Sequence, residues 1–188
     1  MRKTYRINEI FFSLQGEGRN TGQAATFVRF AGCNLHCPFC DTDFARYTEL
    51  TASDIVSQLA PAPLVVLTGG EPTLQVDTAL IEALHAAGKT IAMETNGTHQ
   101  PPPGIDWLTV SPKGTVAVKR ADEVKVVFET EGHQPSDHGI EADHYYLQPC
   151  DTGQPDRNRA IVKACIDYIL SHPRWRLSLQ THKLIGIR

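Results

Sequence analysis

An open α/β barrel built on a parallel sheet is the architecture this sequence predicts, and three observations predict it. Apolar, strand-like runs alternate with segments of helical periodicity, which right-handed crossovers turn into a parallel sheet. The 188 residues fall short of the about 250 that eight strand–helix units require, so the barrel is expected to be partial, with some crossovers reduced to loops. Finally, the residues able to carry chemistry stand where strands give out. Cys33 follows one strand, Gly69-Gly70-Glu71-Pro72 the next and Thr95-Asn96-Gly97 the third, with Ser111-Pro112-Lys113 and Gln148-Pro149 after later ones. Sites in parallel sheets gather at such carboxyl ends.

The elements follow in order. A strand over Arg6–Phe12 leads through the glycine-bearing turn Gln15-Gly16-Glu17-Gly18 to a strand over Thr26–Phe30. Thr51 reads as a helix N-cap with Asp54 in the first turn, and that helix runs to Leu59. Leu64–Thr68 is a short, continuously apolar strand of the buried parallel kind. A helix over Asp77–Ala87 carries Leu80, Ile81 and Leu84 at helical spacing, and Gly88 stops it. Strands are expected at Thr90–Glu94, Trp107–Ser111, Glu123–Phe128 and Tyr145–Gln148, a long helix at Asp156–Ser171 and a closing strand at Leu177–Gln180. The long helix puts Ile161, Cys165, Tyr168 and Ile169 on one stripe, which makes Cys165 a core residue. No internal repeat is evident, and the whole of residues 1–188 reads as one domain.

Composition narrows the function classes. The apolar fraction is 41% and the formal charge is −3, which supplies a core and no basic footprint for nucleic acid. No run of about 18 apolar residues exists, so no membrane span is expected. Of the five cysteines, three crowd into Cys33-Asn34-Leu35-His36-Cys37-Pro38-Phe39-Cys40. That usage indicates metal ligation in a reducing, cytoplasmic compartment, not a disulfide scaffold. Three thiolates suit a four-iron cluster with one iron left open, since such a cluster normally takes four cysteines. A tetrahedral zinc site would need a fourth ligand, and His36 is the candidate within the loop. Cys150 reads as a pocket-wall residue. Arg29 alternates with Phe27 and Ala31 on one face of its strand. There a guanidinium must meet water, an acidic partner such as Glu17 or Glu71, or an anionic ligand.

The spacing Cys33, Cys37, Cys40 followed by Asp41 resembles the signature loop of the radical S-adenosylmethionine enzymes. Thr68-Gly69-Gly70-Glu71-Pro72 and Glu94-Thr95-Asn96-Gly97 resemble two further motifs of that superfamily. Phe12 to Gly18, Arg29, Cys40-Asp41-Thr42, Ser111-Pro112-Lys113, Gln148-Pro149 and Gln180-Thr181-His182-Lys183 occur together and in order. With them, nearly the whole chain resembles the 7-carboxy-7-deazaguanine synthases. The resemblance implies a shortened radical-enzyme barrel, working as a homodimer. It also implies conversion of 6-carboxy-5,6,7,8-tetrahydropterin into 7-carboxy-7-deazaguanine, a ring contraction with loss of ammonia on the queuosine pathway.

It further implies roles. Cys33, Cys37 and Cys40 would hold a [4Fe-4S] cluster. Phe39, Gly70, Glu71, Ser111, Pro112, Lys113 and Gln148 would contact S-adenosylmethionine. Leu14, Gln15, Gly16, Arg29, Thr68 and Arg188 would contact the pterin, and Thr42 would bind Mg²⁺. One electron from a donor such as flavodoxin or ferredoxin would release a 5'-deoxyadenosyl radical that takes hydrogen from C6 of the pterin. Two other readings differ in class. One is an activase that places a glycyl radical on a partner protein, and the other is a non-enzymatic, metal-stabilised binding module.

Overall fold

In the computed structural model, which describes residues 3–38, 40, 46–130, 132 and 134–188, nine strands form one sheet. They are β1 (Tyr5–Leu14), β2 (Ala24–Phe30), β3 (Thr48–Leu50), β4 (Leu64–Gly69), β5 (Thr90–Thr95), β6 (Trp107–Val110), β7 (Arg120–Phe128), β8 (Glu141–Pro149) and β9 (Arg176–Leu177). Their order is β3-β1-β2-β4-β5-β6-β7-β8-β9. Every pairing from β2 across to β9 is parallel. At the other edge β1 runs antiparallel to β2, and β3 antiparallel to β1. The expected parallel sheet thus runs from β2 to β9, and β1 and β3 add an antiparallel edge to it. The cause is local: the connection from Gln15 to Gln23 holds no α-helix and is too short for the crossover a parallel pair demands.

The helices are α1 (Ala52–Ser57), α2 (Thr78–Ala86), α3 (Pro155–Ser171) and α4 (Thr181–Ile185). Thr51 caps α1 as its sequence indicates. Its hydroxyl accepts from Asp54 N at 3.2 Å while Asp54 Oδ2 accepts from Thr51 N at 2.9 Å, a reciprocal box worth about 1 kcal/mol. Asp77 caps α2 by accepting from Leu80 N at 3.1 Å, and it is held from outside by the Tyr5 hydroxyl at 2.7 Å. Gly88, at φ +73°, takes the left-handed conformation just beyond that helix. Among the described residues no helix separates β5, β6, β7 and β8, so these crossovers are loops, as the short chain predicts. Among the described residues no helix is long and apolar enough to cross a membrane.

Alternation along the strands divides the sheet into two faces. Val28, Phe30, Val65, Leu67, Ile91, Met93, Val124, Val126 and Leu147 join Ile55, Leu80, Leu84, Ile161 and Cys165 of the helices in the main core. The intervening residues face the helix-free side. Phe27, Leu64, Val66 and Ala92 form a smaller apolar cluster there with Phe11 and Trp107. Further along the same side chemistry replaces packing, because Arg29, Thr68, Glu94, Lys125 and Gln148 occupy the next alternate positions on β2, β4, β5, β7 and β8. The strand phase that builds the core thus also aims the polar residues inward at the carboxyl ends.

The gap of the partial barrel is spanned by a turn and, among the described residues, by no strand pairing. The turn after β1 reaches to the far edge of the sheet. Gly18 N donates to Ser178 Oγ at 3.0 Å, just beyond β9, and Arg19 N to Glu123 Oε2 of β7 at 2.9 Å. Thr181 N donates to the Gly16 carbonyl at 3.0 Å. Gly16 and Gly18 are required by this approach, since a Cβ would collide with His182 at the first and with Glu123 at the second.

Candidate active site

Two cavities open at the carboxyl ends of the strands. The first, about 410 Å³, is lined by Cys33, Cys37 and Cys40, by Gly69 and Gly70, by Thr95 and Asn96, and by Ser111, Lys113, Gln148, Cys150 and Lys183. The second, about 460 Å³, is lined by Leu14, Gln15, Gly16, Phe27, Arg29, His182 and Arg188. Glu17, Thr68, Gly69, Glu94 and Gln180 border both. The two spaces therefore meet across one shared wall.

The cysteine loop is positioned by its neighbours. Gly70 N donates to the Phe30 carbonyl and Glu71 N to the Gly32 carbonyl, both at 2.9 Å. A Cβ on Gly70 would collide with the Gly32 carbonyl oxygen, so the paired glycines serve first to let the β4 end lie against the cysteine loop. A second tether comes from β5: Asn96 Nδ2 donates to Asn34 Oδ1 at 2.9 Å, and Asn34 Nδ2 to Thr98 Oγ1 at 2.9 Å. All three cysteines are thiols without disulfides. Burial pushes the Cys37 thiol up, as do Cys40 and Cys33, while Lys113 opposes them. Cys33, Cys37 and Cys40 all line this one cavity, and thiolates are the donor chemistry an iron–sulfur cluster takes, although among the described residues no such group is drawn together closely enough to hold a metal ion.

Glu71 is placed differently from a cofactor contact. It is wholly buried, lines neither cavity, and accepts from Thr73 N, Thr73 Oγ1, Thr95 Oγ1 and Asn96 N at 2.6–3.0 Å. Four donors satisfy the carboxylate and fix the end of β5. Pro112 lies behind the first cavity, lining a groove with His36 and Cys37. His36 is exposed in that groove and does not line the cavity the three cysteines share. Phe39 and Thr42 fall outside the described residues. Cys165 is a core residue, fully buried in α3, where burial pushes its thiol up to about 12.

In the second cavity Gln15 donates from Nε2 to Glu94 Oε1 at 3.0 Å. Arg29 Nε lies 2.9 Å from Glu9 Oε1, and its guanidinium stands 5.7 Å from the Phe11 ring centre. Glu9 is thus an acidic neighbour of Arg29, while the Glu17 carboxylate is engaged by Lys125 and Gln180 and that of Glu71 by Thr73, Thr95 and Asn96. Residues two apart on β1 share the inner face, which brings Glu9 opposite Arg29 in the β1–β2 register. Arg188 also pairs with Glu9 and covers Phe11 at 4.8 Å.

Sequence reasoning passed over Lys125, a residue of the first cavity that is bound to two residues of the shared wall. Lys125 Nζ sits 2.5 Å from Glu17 Oε2 and 2.7 Å from Glu94 Oε2, with its side chain 4% exposed. Gln180 Nε2 donates to the other Glu17 oxygen at 3.0 Å. Burial alone would raise the Glu17 carboxyl, but the Lys125 charge and the hydrogen bonds from Lys125 and Gln180 outweigh it and hold the group at about 2. Burial lowers Lys125, and Glu17, Glu94 and Glu123 more than reverse this and push it up. Burial pushes the nearby Glu123 up, against Lys125 and the Arg19 amide. The available signal was a pair of ionisable residues, Glu123 and Lys125, on the inward phase of β7.

The Radical SAM superfamily model matches residues 27–109, from β2 through β6. The 7-carboxy-7-deazaguanine synthase of Bacteroides thetaiotaomicron is 51% identical, over 97% of this chain and 98% of its own. That of Bordetella pertussis is 46% identical, over 97% and 99%. The crystal structure of QueE from Escherichia coli superposes with a TM-score of 0.74 at 28% identity, covering 95% of each chain. With the cysteine loop, the glycine strand end and the paired cavities all within these full-length matches, the chain belongs to the 7-carboxy-7-deazaguanine synthase family of the radical S-adenosylmethionine superfamily.

Proposed function

We infer that the protein converts 6-carboxy-5,6,7,8-tetrahydropterin into 7-carboxy-7-deazaguanine, as a carbon–nitrogen lyase of queuosine biosynthesis. The observation that carries this reading is the pair of cavities with one shared wall, on a chain alike along its length to named synthases. The same likeness takes the place of the activase and binding-module alternatives.

Cys33, Cys37 and Cys40 would hold a [4Fe-4S] cluster, and Gly70, Ser111, Lys113 and Gln148 would line the S-adenosylmethionine beside it. When bound and reduced, that pair supplies the hydrogen-abstracting radical. The protein's part is placement. Leu14, Gln15, Gly16, Arg29, Thr68 and Arg188 border the second cavity, where a guanidinium can take a carboxylate through paired hydrogen bonds. Thr68 borders both cavities, so a pterin held there lies next to the cofactor.

Glu71 acts by fixing the end of β5 and, through Asn96, the cysteine loop. Mg²⁺ would join Thr42 to substrate oxygens, since that ion keeps several waters and shares its octahedron. Residues 1–188 form the catalytic domain of a cytoplasmic homodimer served by a flavodoxin or ferredoxin. The test is anaerobic incubation of reconstituted protein with reductant, S-adenosylmethionine, Mg²⁺ and the carboxypterin, followed by mass analysis. Formation of 7-carboxy-7-deazaguanine is expected, and its absence with an intact cluster would overturn the assignment.

A further inference from the structure

We propose that Lys125 is a positioning residue of the substrate cavity: its ammonium, set between Glu17 and Glu94, pins the Gln15–Gly18 turn in place as that cavity's wall. The inference rests on reading the second cavity as the pterin site.

A buried ion pair is a poor source of stability, because desolvating the charges offsets most of their attraction, and apolar replacements are often neutral or better. Yet here one buried ammonium is shared by two carboxylates at 2.5 and 2.7 Å. What the arrangement provides is location. Glu17 lies on the turn after β1, Glu94 on β5 and Lys125 on β7, so the ammonium joins elements that share no strand pairing. Each carboxylate is fixed at its second oxygen as well, Glu17 by Gln180 and Glu94 by Gln15. The turn therefore cannot shift without breaking the buried pair.

The two cavities depend on this turn unequally. Leu14, Gln15, Gly16 and Glu17 all line the second cavity, together with Gln180 and His182, which lie against the turn. Of these six, only Glu17 and Gln180 line the first, whose remaining wall comes from the cysteine loop, the ends of β4, β5, β6, β7 and β8, with Lys125 itself among them, and Asp151, Gly153 and Lys183. Releasing the turn should loosen the pterin and leave S-adenosylmethionine largely held. A residue of purely structural importance would weaken both together.

The experiment compares Lys125→Met, Glu17→Gln and the double variant with the unmodified protein, all anaerobically reconstituted. Iron content, thermal midpoint, S-adenosylmethionine affinity and carboxypterin affinity are measured on each. Lys125→Met is expected to bind the carboxypterin at least about tenfold more weakly, with S-adenosylmethionine affinity within about threefold. Glu17→Gln should show the same selective loss, and the double variant should be no worse than Lys125→Met alone, because both changes release one contact. Unchanged carboxypterin affinity in either single variant would overturn the proposal, as would parallel loss of both affinities with a falling thermal midpoint. Should Lys125→Met fail to fold, Glu17→Gln alone decides by the same two results. An unmodified protein that does not bind the carboxypterin would overturn the functional reading, and this inference with it.

Discussion

Cys33, Cys37 and Cys40 each bring one sulfur to the first cavity, so each is an anchor that no neighbour can replace. Changing any of them to Ala is expected to remove most of the cluster iron and all turnover, read by iron and sulfide analysis. Cys165→Ala should retain both and cost about 1 kcal/mol, because only a small cavity forms in the α3 packing. Arg29 poses a finer question, since Glu9 Oε1 already lies 2.9 Å from its Nε. Lysine can meet one carboxylate as a point charge, but cannot hold Glu9 through one edge and a substrate carboxylate through another. Arg29→Lys should therefore raise KM for the carboxypterin by roughly 1.5–3 kcal/mol, with normal iron content. Unchanged kinetics would place the carboxylate anchor elsewhere.

At the scale of elements, the close approach of the β4 end to the cysteine loop makes Gly70 the most demanding position. A methyl there meets the Gly32 carbonyl, which is backbone and cannot rotate aside. Gly70→Ala should displace the loop, lowering both iron retention and the thermal midpoint, whereas Gly22→Ala, with open space around it but a left-handed backbone at φ +87°, should cost some stability and retain full iron. The elements most legible in the sequence are those settled by near neighbours. Thr51 and Asp54 stand one helical turn apart and cap each other, and the unbroken apolar run Leu64–Thr68 marks a strand buried on both faces. The antiparallel course of β1 was not legible, because it follows from how the chain returns after Leu14 and not from side-chain alternation. Thr48–Leu50 is a strand only through its pairing with Tyr5, Arg6 and Ile7. The closing strand expected at Leu177–Gln180 is Arg176–Leu177, and Ser178 just beyond it accepts through its hydroxyl oxygen from Gly18 N of the turn after β1. In the site, local motifs located the cysteines and glycines, while Lys125 escaped because its partners are 108 and 31 residues away.

For the molecule as a whole, the wall between the cavities carries a signature in acid. Glu17 ordinarily titrates at 4.5 and is held at about 2. A depressed carboxyl stabilises the fold fully above its unfolded value, and that contribution is lost as pH falls from 4.5 toward 2. Denaturant unfolding followed from about pH 6 down to about pH 2 should show stability falling across that window, and Glu17→Gln should flatten the slope. Identical slopes would assign the acid sensitivity to other carboxylates. The bridging turn also dictates when the site can exist along the folding pathway. Gly18 and Ser178 are 160 residues apart in the chain, so their contact closes nearly the longest loop available, and such non-local contacts are entropically slow to form. The parallel strands and their helices can assemble from nearer pairings, but the substrate wall forms only after β9 is in place. A refolding experiment should thus recover far-ultraviolet circular dichroism before carboxypterin binding, and a nascent chain would carry its cysteine loop well before it had a place for substrate.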